Sequence, residues 1–406
     1  MSNPVVIVGG GFGGLEAAFT LKGVLGPSAE ITLIDRSPYH AFIPSIHLIV
    51  SRRAGADAIR IPLRAVLGPA GVRFMQDEVL SVDAERGQVV TAAGGGLAYD
   101  HLLLASGATN NFFDVPGAEA YSCRFRTTED AERIQAELLK ILGDTVRPGR
   151  IVLAGAGTEG VEVIGEVLDL IRDEGREGAL ADGGVALTLI EGKGRLLPNF
   201  PAEVHDRVEE YLRLRGVTLI AGDAIAEVRQ DSVVLASGQR HEASILIWSG
   251  GIQPSKLIRE LPFDKDPWGW LKVNGYLQVP DDERISGIGD AVSVYADDGP
   301  LALQRLAYHA QDQARVAALN IASRIRGGKP VIYEPKSRPQ LISLGRDMGI
   351  MTVDDKVLTG RWVISAKAAV ERKHLMTCLA RPVTSAIWAR IPGAGVLQRL
   401  RTRLPV

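Results

Sequence analysis

The stretch Pro-Val-Val-Ile-Val-Gly-Gly-Gly-Phe-Gly-Gly, residues 4–14, decides how the rest of the chain folds. Its first half is an apolar run rich in β-branched side chains, which predicts a buried strand. The run leads directly into Gly-x-Gly-x-x-Gly at Gly9, Gly11 and Gly14. In such a turn the first glycine permits the bend, the second lets a phosphate approach the backbone, and the third lets the following helix lie close to the strand. Helix formers follow at residues 15–22, so the stretch predicts a phosphate-binding turn at a helix N-terminus.

An acidic residue completes this first unit. Residues 30–34 are predicted to form a second strand that leads into Asp35, 21 residues after Gly14. A carboxylate at this place can accept hydrogen bonds from both hydroxyls of a ribose. A lone glycine-rich turn is weak evidence and can occur without a ligand. Strand, turn, helix, strand and acid in this order predict a bound dinucleotide.

The opening pattern occurs a second time in the middle of the chain. A short apolar strand leads into Gly155, Gly157 and Gly160, a helix follows, and the next strand ends at Glu191. The gap from Gly160 to Glu191 is 31 residues, where about 20 is usual, because residues 172–184 form a polar, glycine-rich insertion. This internal duplication predicts that one chain holds two dinucleotides.

Glu191 bears on which nicotinamide cofactor binds. A carboxylate at this strand end repels a 2′-phosphate, so NADH is favoured over NADPH. Lys193 and Arg195 lie close by in the sequence and weaken this preference.

Three further strands end in small residues of the kind that lets a ligand approach the backbone. The residues at these ends are Ser106, Gly107, Gly250, Gly251, Gly289, Asp290 and Ala291. A helix is predicted to begin between residues 302 and 308, soon after Asp290. Asp290 is therefore well placed to hold a polyol, with the helix N-terminus facing a ring system.

Composition excludes several classes of protein. The chain has 406 residues with 46 basic and 48 acidic side chains, so nothing draws the whole chain toward nucleic acid. It shows no charged-then-apolar leader and no run of 18 apolar residues, so we expect neither a signal peptide nor a transmembrane helix. The two cysteines, Cys123 and Cys378, give no metal-ligand spacing, and no cysteine pair follows Asp35. This excludes a dithiol relay and favours a reducing, cytoplasmic setting.

The loop at residues 36–45 is punctuated by two prolines, which argues against a long helix there. It contains His40, and His47 follows shortly after. A histidine in such a loop is more often a hydrogen-bonded structural residue than a catalytic one, although both roles are open for these two.

The pattern changes after residue 330. Strands are predicted at residues 340–344 and 350–353, and a helix at 364–374. Residues 381–406 contain five arginines, no acid and a stripe of apolar side chains. Such a basic, amphipathic tail predicts a segment that lies on an anionic membrane surface. The alternative is a helix docked on its own domain or in the interface of a homodimer.

These motifs together resemble the flavoproteins with two dinucleotide-binding domains, and within them the type II NADH dehydrogenases. A more distant resemblance is to sulfide:quinone oxidoreductases. The resemblance implies an α/β fold of two Rossmann-like domains, one for FAD and one for NAD, and a small C-terminal α+β region with an amphipathic tail. The implied limits are 1–112 and 256–330 for the FAD domain, 113–255 for the NAD domain and 331–406 for the C-terminal region.

The resemblance also implies roles for individual residues. Those implied to hold FAD are Gly9, Gly11, Phe12, Gly13, Gly14, Asp35, Arg36, Pro44, Val79, Ser106, Gly107, Gly289, Asp290 and Ala291. Those implied to hold NADH are Gly155, Gly157, Gly160, Glu191, Gly250 and Gly251. Glu162 resembles the family's acid at the flavin, which would position the nicotinamide or manage a proton. By charge alone it would be a solvated acid in the first turn of a helix.

One departure from the family pattern concerns the electron acceptor. The quinone-side helix of the family opens with Ala-Gln-x-Ala-x-Gln, and this chain has Tyr308 and Asp312 at the two glutamine positions. Tyr308, His309 and Gln311 are the implied acceptor-side wall. The segment 42–45 is closer to the sulfide-oxidising branch, but that branch has a cysteine where this chain has Thr158.

The prediction is therefore an FAD-dependent enzyme without a metal that takes a hydride from NADH and passes two electrons to a quinone without pumping protons. We expect it on the inner face of the membrane, attached through residues 381–406. Two alternatives stay open. One is another flavin oxidoreductase, either sulfide-oxidising or feeding a soluble electron carrier, and the other is a redox-sensing flavoprotein.

Overall fold

The computed structural model describes residues 3–296, 299–301, 303–354 and 356–389. Strands and helices alternate along much of the chain, as the α/β prediction requires. The α-helices are Phe12–Leu25, His47–Val50, Leu63–Leu67, Ala118–Tyr121, Thr128–Gly143, Thr158–Asp173, Gly178–Asp182, Ala202–Leu214, Lys256–Glu260, Ala307–Arg326 and Arg361–Ala389.

The first glycine-rich turn follows an inner strand of a six-stranded, mostly parallel sheet. Its strands, in spatial order, are Gln278–Val279, Asp282–Gly287, His101–Leu104, Val5–Val8, Ile31–Asp35 and Arg73–Gln76. Strand Val5–Val8 is buried throughout, as its β-branched run predicts. Strand Asp282–Gly287 pairs in parallel with His101–Leu104, so a late part of the chain returns to complete the first sheet.

The second glycine-rich turn belongs to a separate, five-stranded parallel sheet. Its strands, in spatial order, are Cys123–Arg124, Ile245–Trp248, Gly149–Ala154, Val185–Glu191 and Val217–Ala221. Both turns follow a central strand of their sheet, where the carboxyl ends of parallel strands form a crevice that binds ligands in α/β proteins. The predicted fold class, with two Rossmann-like units, is confirmed.

The chain passes between the two units through one pair of short antiparallel strands, Ala108–Asn110 and Ile252–Pro254. The other strands form small sheets and one more pair. They are Val79–Asp83, Gln88–Thr91 and Gly96–Ala98; Ile225–Arg229, Ser232–Leu235 and Arg240–Glu242; Leu271–Asn274, Val292–Ala296 and Gly299–Pro300; Gln340–Leu344, Met348–Val353 and Lys356–Thr359; and Tyr39–Ala41 with Arg60–Pro62.

Helix Phe12–Leu25 packs against helix Ala307–Arg326. Ala314, Ala317 and Ala318 are buried at this contact side of the second helix, and their small side chains permit a close approach. The first helix begins three residues earlier than the prediction at residue 15, because Gly13 and Gly14 already form its first turn. Helix Ala307–Arg326 begins within the predicted interval.

The C-terminal region differs from the prediction in extent. Its helix, Arg361–Ala389, is much longer than the predicted 364–374, and strand Lys356–Thr359 was not predicted. The prediction that Arg381 belongs to a basic membrane face is wrong for this residue. Its guanidinium donates hydrogen bonds of 2.6 and 2.9 Å to the buried Glu16 carboxylate. Residues 390–406, on which the rest of the tail prediction depends, lie outside the described residues.

Candidate active site

The first turn has the backbone geometry that its glycines predict. Gly9 has φ of +109°, and a Cβ there would lie 2.3 Å from the carbonyl oxygen of Ala105. A Cβ on Gly14 would lie 1.8 Å from the carbonyl oxygen of Gly9, so the helix could not approach its strand. A Cβ on Gly11 would meet no atom of the described residues within 4 Å. The first and third glycines are therefore needed for the fold, and the second leaves open space above the turn.

The second turn repeats this division of roles. Gly155 has φ of +95°, and its Cβ would lie 2.6 Å from the carbonyl oxygen of Ser249. A Cβ on Gly160 would lie 2.0 Å from the carbonyl oxygen of Gly155, whereas one on Gly157 would meet no described atom within 4 Å. Two stretches about 146 residues apart in the sequence thus form the same cradle.

Both helices that follow these turns begin without a capping side chain among the residues that the structure describes. Their N-caps are Gly11 and Gly157, so the first N–H groups of each helix remain available. Helix Thr128–Gly143 shows the contrast, because Thr127 and Asp130 form a capping box at its start. The uncapped N–H groups and the positive end of the helix dipole suit a pyrophosphate.

The acid at the end of each second strand is hydrogen-bonded to its own turn. Asp35 accepts from the N–H of Gly10 at 2.5 Å, and burial raises its pKa although that bond acts to lower it. Glu191 accepts from the N–H groups of Ala156, at 2.7 Å, and Lys193, at 2.9 Å. Each carboxylate is therefore fixed beside its glycine turn, where a ribose attached to a bound pyrophosphate would lie.

Other predicted cofactor residues lie around these cradles. Ser106 Oγ is 3.1 Å from Ser255 Oγ, which links the two segments where the chain leaves and re-enters the first unit. Gly107 and Gly251 both have positive φ. Gly250 lies against the ring of Trp248, which a Cβ would meet at 3.1 Å.

Gly289, Asp290 and Ala291 form a tight 3₁₀ turn in front of helix Ala307–Arg326. The N–H of Gly289 donates to the side-chain oxygen of Gln313 at 2.6 Å. Arg126 lies 3.1 Å from the Asp290 carboxylate. The sequence analysis did not predict roles for Arg126 and Gln313. The feature that could have indicated Arg126 is its position just before the N-cap of a helix.

The remaining predicted flavin-side residues differ in their surroundings. Phe12 packs its ring edge-on against His40, with 5.0 Å between ring centres. Pro44 lies in the 3₁₀ turn Ile43–Ser45, and Val79 is buried at the start of its strand. Arg36 is exposed and lies 3.7 Å from Glu78. The role of each in binding stays a prediction.

Glu162 is buried and not a solvated helix acid, since only 6% of it is exposed. Its Oε1 accepts from the backbone N–H of Ser343 at 2.9 Å and from the ammonium of Lys367. Its Oε2 lies 3.6 Å from Nδ1 of His47. Burial and then the charges of Lys367 and Arg53 lower the pKa of His47 well below its ordinary value, so this imidazole is neutral.

Of the predicted acceptor-side residues, Tyr308 and His309 lie ring against ring, with 4.3 Å between ring centres, and Gln311 faces another element. Gln311 faces the C-terminal helix, where its amide nitrogen lies 3.3 Å from Nδ1 of His374. His309 is buried, and its Nδ1 lies 3.0 Å from the hydroxyl of Tyr333. Tyr308 lies beneath the guanidinium of Arg338, 5.1 Å from the ring centre. Of the three, Gln311 is the residue that reaches toward the helix that contains Lys367.

Comparison with known sequences identifies the relatives of this chain. The family profile of pyridine nucleotide-disulphide oxidoreductases matches residues 3–314. An NADH dehydrogenase-like protein of Mycobacterium tuberculosis is 30% identical over 329 residues, which cover 78% of this chain and 79% of the relative. A type II NADH:quinone oxidoreductase of Staphylococcus aureus is 26% identical over 384 residues, covering 92% and 94%.

Solved structures show the same fold. NDH2 of Plasmodium falciparum in complex with NADH superposes with a TM-score of 0.82 at 18% identity, covering 97% of this chain and 99% of that one. The sulfide:quinone oxidoreductase of Aquifex aeolicus superposes with a TM-score of 0.80 at 23% identity, covering 94% and 92%. These matches confirm the predicted resemblance. Within the residues that the structure describes, none of the helices combines the length and apolarity needed to cross a bilayer.

Proposed function

Because this chain belongs to the pyridine nucleotide-disulphide oxidoreductase family, we propose that it oxidises NADH and passes two electrons to a quinone without moving protons across the membrane. The observation that carries the proposal is the pair of equivalent cradles, each with an open second glycine, an uncapped helix and a fixed carboxylate. Two cradles in one chain bring two dinucleotides together, which electron transfer between them requires.

The family confirms the predicted enzyme class and cofactors: the chain is a flavoprotein oxidoreductase that uses FAD and NADH. The residues of both cradles fit these groups, since each turn offers N–H donors to a pyrophosphate and a carboxylate to a ribose. The first cradle would hold FAD, with Asp290 at its polyol chain, and the second would hold NADH beside Glu191. FAD supplies the redox chemistry when bound, because it accepts a hydride and gives up electrons singly or in pairs.

The protein contributes orientation and electrostatics around that chemistry. Glu162 stands two residues after Gly160 and is held by Ser343, Lys367 and His47. Its fixed orientation suits the positioning of a nicotinamide ring beside the flavin. In this buried hydrogen-bonded cluster the Lys367 ammonium can donate a proton and the neutral imidazole of His47 can accept one.

The two cysteines support direct transfer to the second acceptor without a dithiol relay. Cys123 and Cys378 are both free thiols, and each lies in a different part of the fold. Thr158 occupies the place where the sulfide-oxidising branch has a cysteine, at the start of the second nucleotide helix. These observations favour NADH over sulfide as the electron donor.

We also propose that the enzyme is attached to the inner face of the membrane through its C-terminal helix. Met376 and Leu379 expose 70% and 54% of their surface on one side of this helix, and Arg372 and Lys373 stand beside them. An apolar face flanked by cations is typical of a helix that lies on anionic lipid. Because Arg381 is engaged with Glu16, a truncation that tests this attachment should begin at residue 382.

The anaerobic spectrum of the purified protein tests the enzymatic proposal. We expect a yellow protein whose flavin absorbance is bleached by one equivalent of NADH and restored by a soluble quinone. A colourless protein that binds no added FAD, or a flavin that sulfide but not NADH reduces, would contradict the proposal. A flavin that NADH reduces but no quinone reoxidises would instead favour a soluble electron carrier or a sensing role.

Partition into vesicles tests the membrane attachment separately. We expect the full chain to bind vesicles that contain anionic lipid. A chain that is truncated after Arg381 and also carries Met376→Gln and Leu379→Gln should bind them much more weakly. Equal binding of the two forms would refute the attachment. A change from dimer to monomer on truncation, with vesicle binding unchanged, would instead favour a tail that lies in a homodimer interface.

A further inference from the structure

Two histidines and a cysteine from distant parts of the sequence meet between the first unit and the C-terminal helix. The ring nitrogens of His40 and His374 and the sulfur of Cys378 all lie within 4.8 Å of one another. Nε2 of His40 is 2.9 Å from Nε2 of His374, and the sulfur of Cys378 is 3.5 Å from the same His374 nitrogen. We propose that these three side chains bind one transition-metal ion, with Zn²⁺ as the expected occupant.

Two of the three separations between the ligand atoms are close to those of a single metal centre, and the third, between His40 and Cys378, is within 4.8 Å. Zinc binds imidazole nitrogen at about 2.0–2.1 Å and thiolate sulfur at about 2.3 Å, so tetrahedral ligands lie roughly 3.3 Å apart for two nitrogens and roughly 3.6 Å for nitrogen and sulfur. The nitrogen–sulfur distance of 3.5 Å already matches. The two rings, 2.9 Å apart, need to separate by about 0.4 Å. His374 and Cys378 stand four residues apart on one helix, which places both on the same face.

The outer hydrogen bonds orient both imidazoles. Nδ1 of His40 lies 3.1 Å from the carbonyl oxygen of Gly10, and because a carbonyl only accepts, this nitrogen carries the hydrogen. The lone pair of His40 is therefore on Nε2, which faces His374. The amide nitrogen of Gln311 lies 3.3 Å from Nδ1 of His374. Binding of a metal to Nε2 of His374 moves the hydrogen of this ring to Nδ1, so it requires the Gln311 amide to turn and accept that hydrogen with its oxygen. Metal-binding histidines are commonly held in this way.

Aromatic side chains surround the cluster. The rings of Phe12 and Phe42 lie 4.9 and 5.3 Å from that of His374 and supply an apolar shell.

Ligand chemistry narrows the choice of ion. Imidazole and thiolate select zinc or cuprous copper and disfavour magnesium and calcium, which prefer oxygen. Three protein ligands leave a fourth position open, as in catalytic zinc sites. The site would join the first nucleotide-binding unit, through His40, to the C-terminal helix. It does not depend on the proposed NADH and quinone chemistry.

The first experiment uses the wild-type holoprotein. The FAD-bound chain is treated with a chelator, dialysed against Zn²⁺ and analysed for zinc by mass spectrometry and for its ligands by X-ray absorption. We expect one zinc per chain, with one sulfur at about 2.3 Å and nitrogen ligands at about 2.0 Å. Much less than one zinc per chain, or zinc without a sulfur ligand, would overturn the proposal. The same measurement with Cu⁺ decides which of the two ions binds more tightly.

Substitutions locate the ion with matched controls. His374→Gln and Cys378→Ser are each expected to weaken zinc binding at least about 100-fold, and Gln311→Ala about 10-fold. His205→Gln and Cys123→Ser, which change a histidine and a cysteine outside the cluster, should bind zinc as the wild type does. Ligand variants that bind zinc as tightly as the controls would refute the assignment. FAD content reports folding of each variant, and the wild-type X-ray absorption result decides the case if a variant does not fold.

Discussion

Exchanging Glu162 for glutamine should loosen the C-terminal helix from the second nucleotide-binding unit. The substitution keeps the side-chain shape but removes the charge that faces the Lys367 ammonium. The two side chains are 8% and 15% exposed, so Lys367 would be left as a largely buried, unpaired cation. Breaking a buried ion pair from one side costs about 3–5 kcal/mol. Because the Lys367 stem is long enough to turn its ammonium toward water, we expect about 2–3 kcal/mol.

Hydrogen–deuterium exchange of the FAD-bound protein measures this loss locally. A decrease of about 2–3 kcal/mol in the opening free energy corresponds to roughly 30- to 150-fold faster exchange of amides in residues 361–381. Glu203→Gln is the control, because Glu203 and its partner Arg207 are 52% and 47% exposed and such pairs contribute at most about 1 kcal/mol. A less than fivefold increase in the C-terminal helix of Glu162→Gln would show that this pair does not hold the helix.

Three further outcomes are expected. Gly160→Ala places a Cβ 2.0 Å from the carbonyl oxygen of Gly155, so the variant should lose NADH binding and retain FAD. The control Gly143→Ala should bind NADH and FAD as the wild type does. Loss of FAD alone in Gly160→Ala would contradict this prediction. Glu191→Gln should narrow the preference for NADH over NADPH about 10-fold in kcat/KM, because it removes a charge that repels a 2′-phosphate; an unchanged ratio would count against that role. Burial raises the pKa of Glu166 to about 7 from 4.5, so its stabilising contribution is complete below about pH 4.5 and up to about 3 kcal/mol is lost as pH rises through 7. The Tm of the wild type should therefore fall relative to that of Glu166→Gln between pH 5 and 8, and a constant difference would refute this.

The glycine turns could be predicted from sequence because each glycine acts on atoms close to it. Gly14 meets Gly9 and Gly160 meets Gly155, five residues away in each case. The spacing of the glycines in the sequence is therefore enough to predict the turn. The position of Asp35 could be predicted too, because its strand pairs directly with the first strand.

The environment of Glu162 could not be predicted in this way. Its partners Ser343 and Lys367 lie 181 and 205 residues further along the chain. In the sequence Lys367 is one charge on a helix with several others, and only the packing of that helix onto the second unit brings it to Glu162. The cluster of His40, His374 and Cys378 was missed for the same reason, because 334 residues separate the two histidines.

Charge patterns were least informative at the C-terminus. A run of arginines predicts a basic face, but the pattern does not distinguish a guanidinium that faces lipid from one that faces a buried acid. Arg381 faces a buried acid, Glu16. Burial acts to raise the pKa of Glu16, but Arg381 and then Arg315 hold that pKa below its ordinary value. His40 and His47 are buried and hydrogen-bonded, as the structural interpretation of them expected.

The helix Arg361–Ala389 contacts the first unit at Glu16 and the second at Glu162, through Arg381 and Lys367. These two anchor residues are 14 positions apart, about 21 Å along the helix axis. A rotation of one nucleotide-binding unit relative to the other would have to break one of the two buried ion pairs that this helix makes. The helix therefore links the two units at two points, and a relative motion that keeps both ion pairs intact has to leave the distance between these points unchanged.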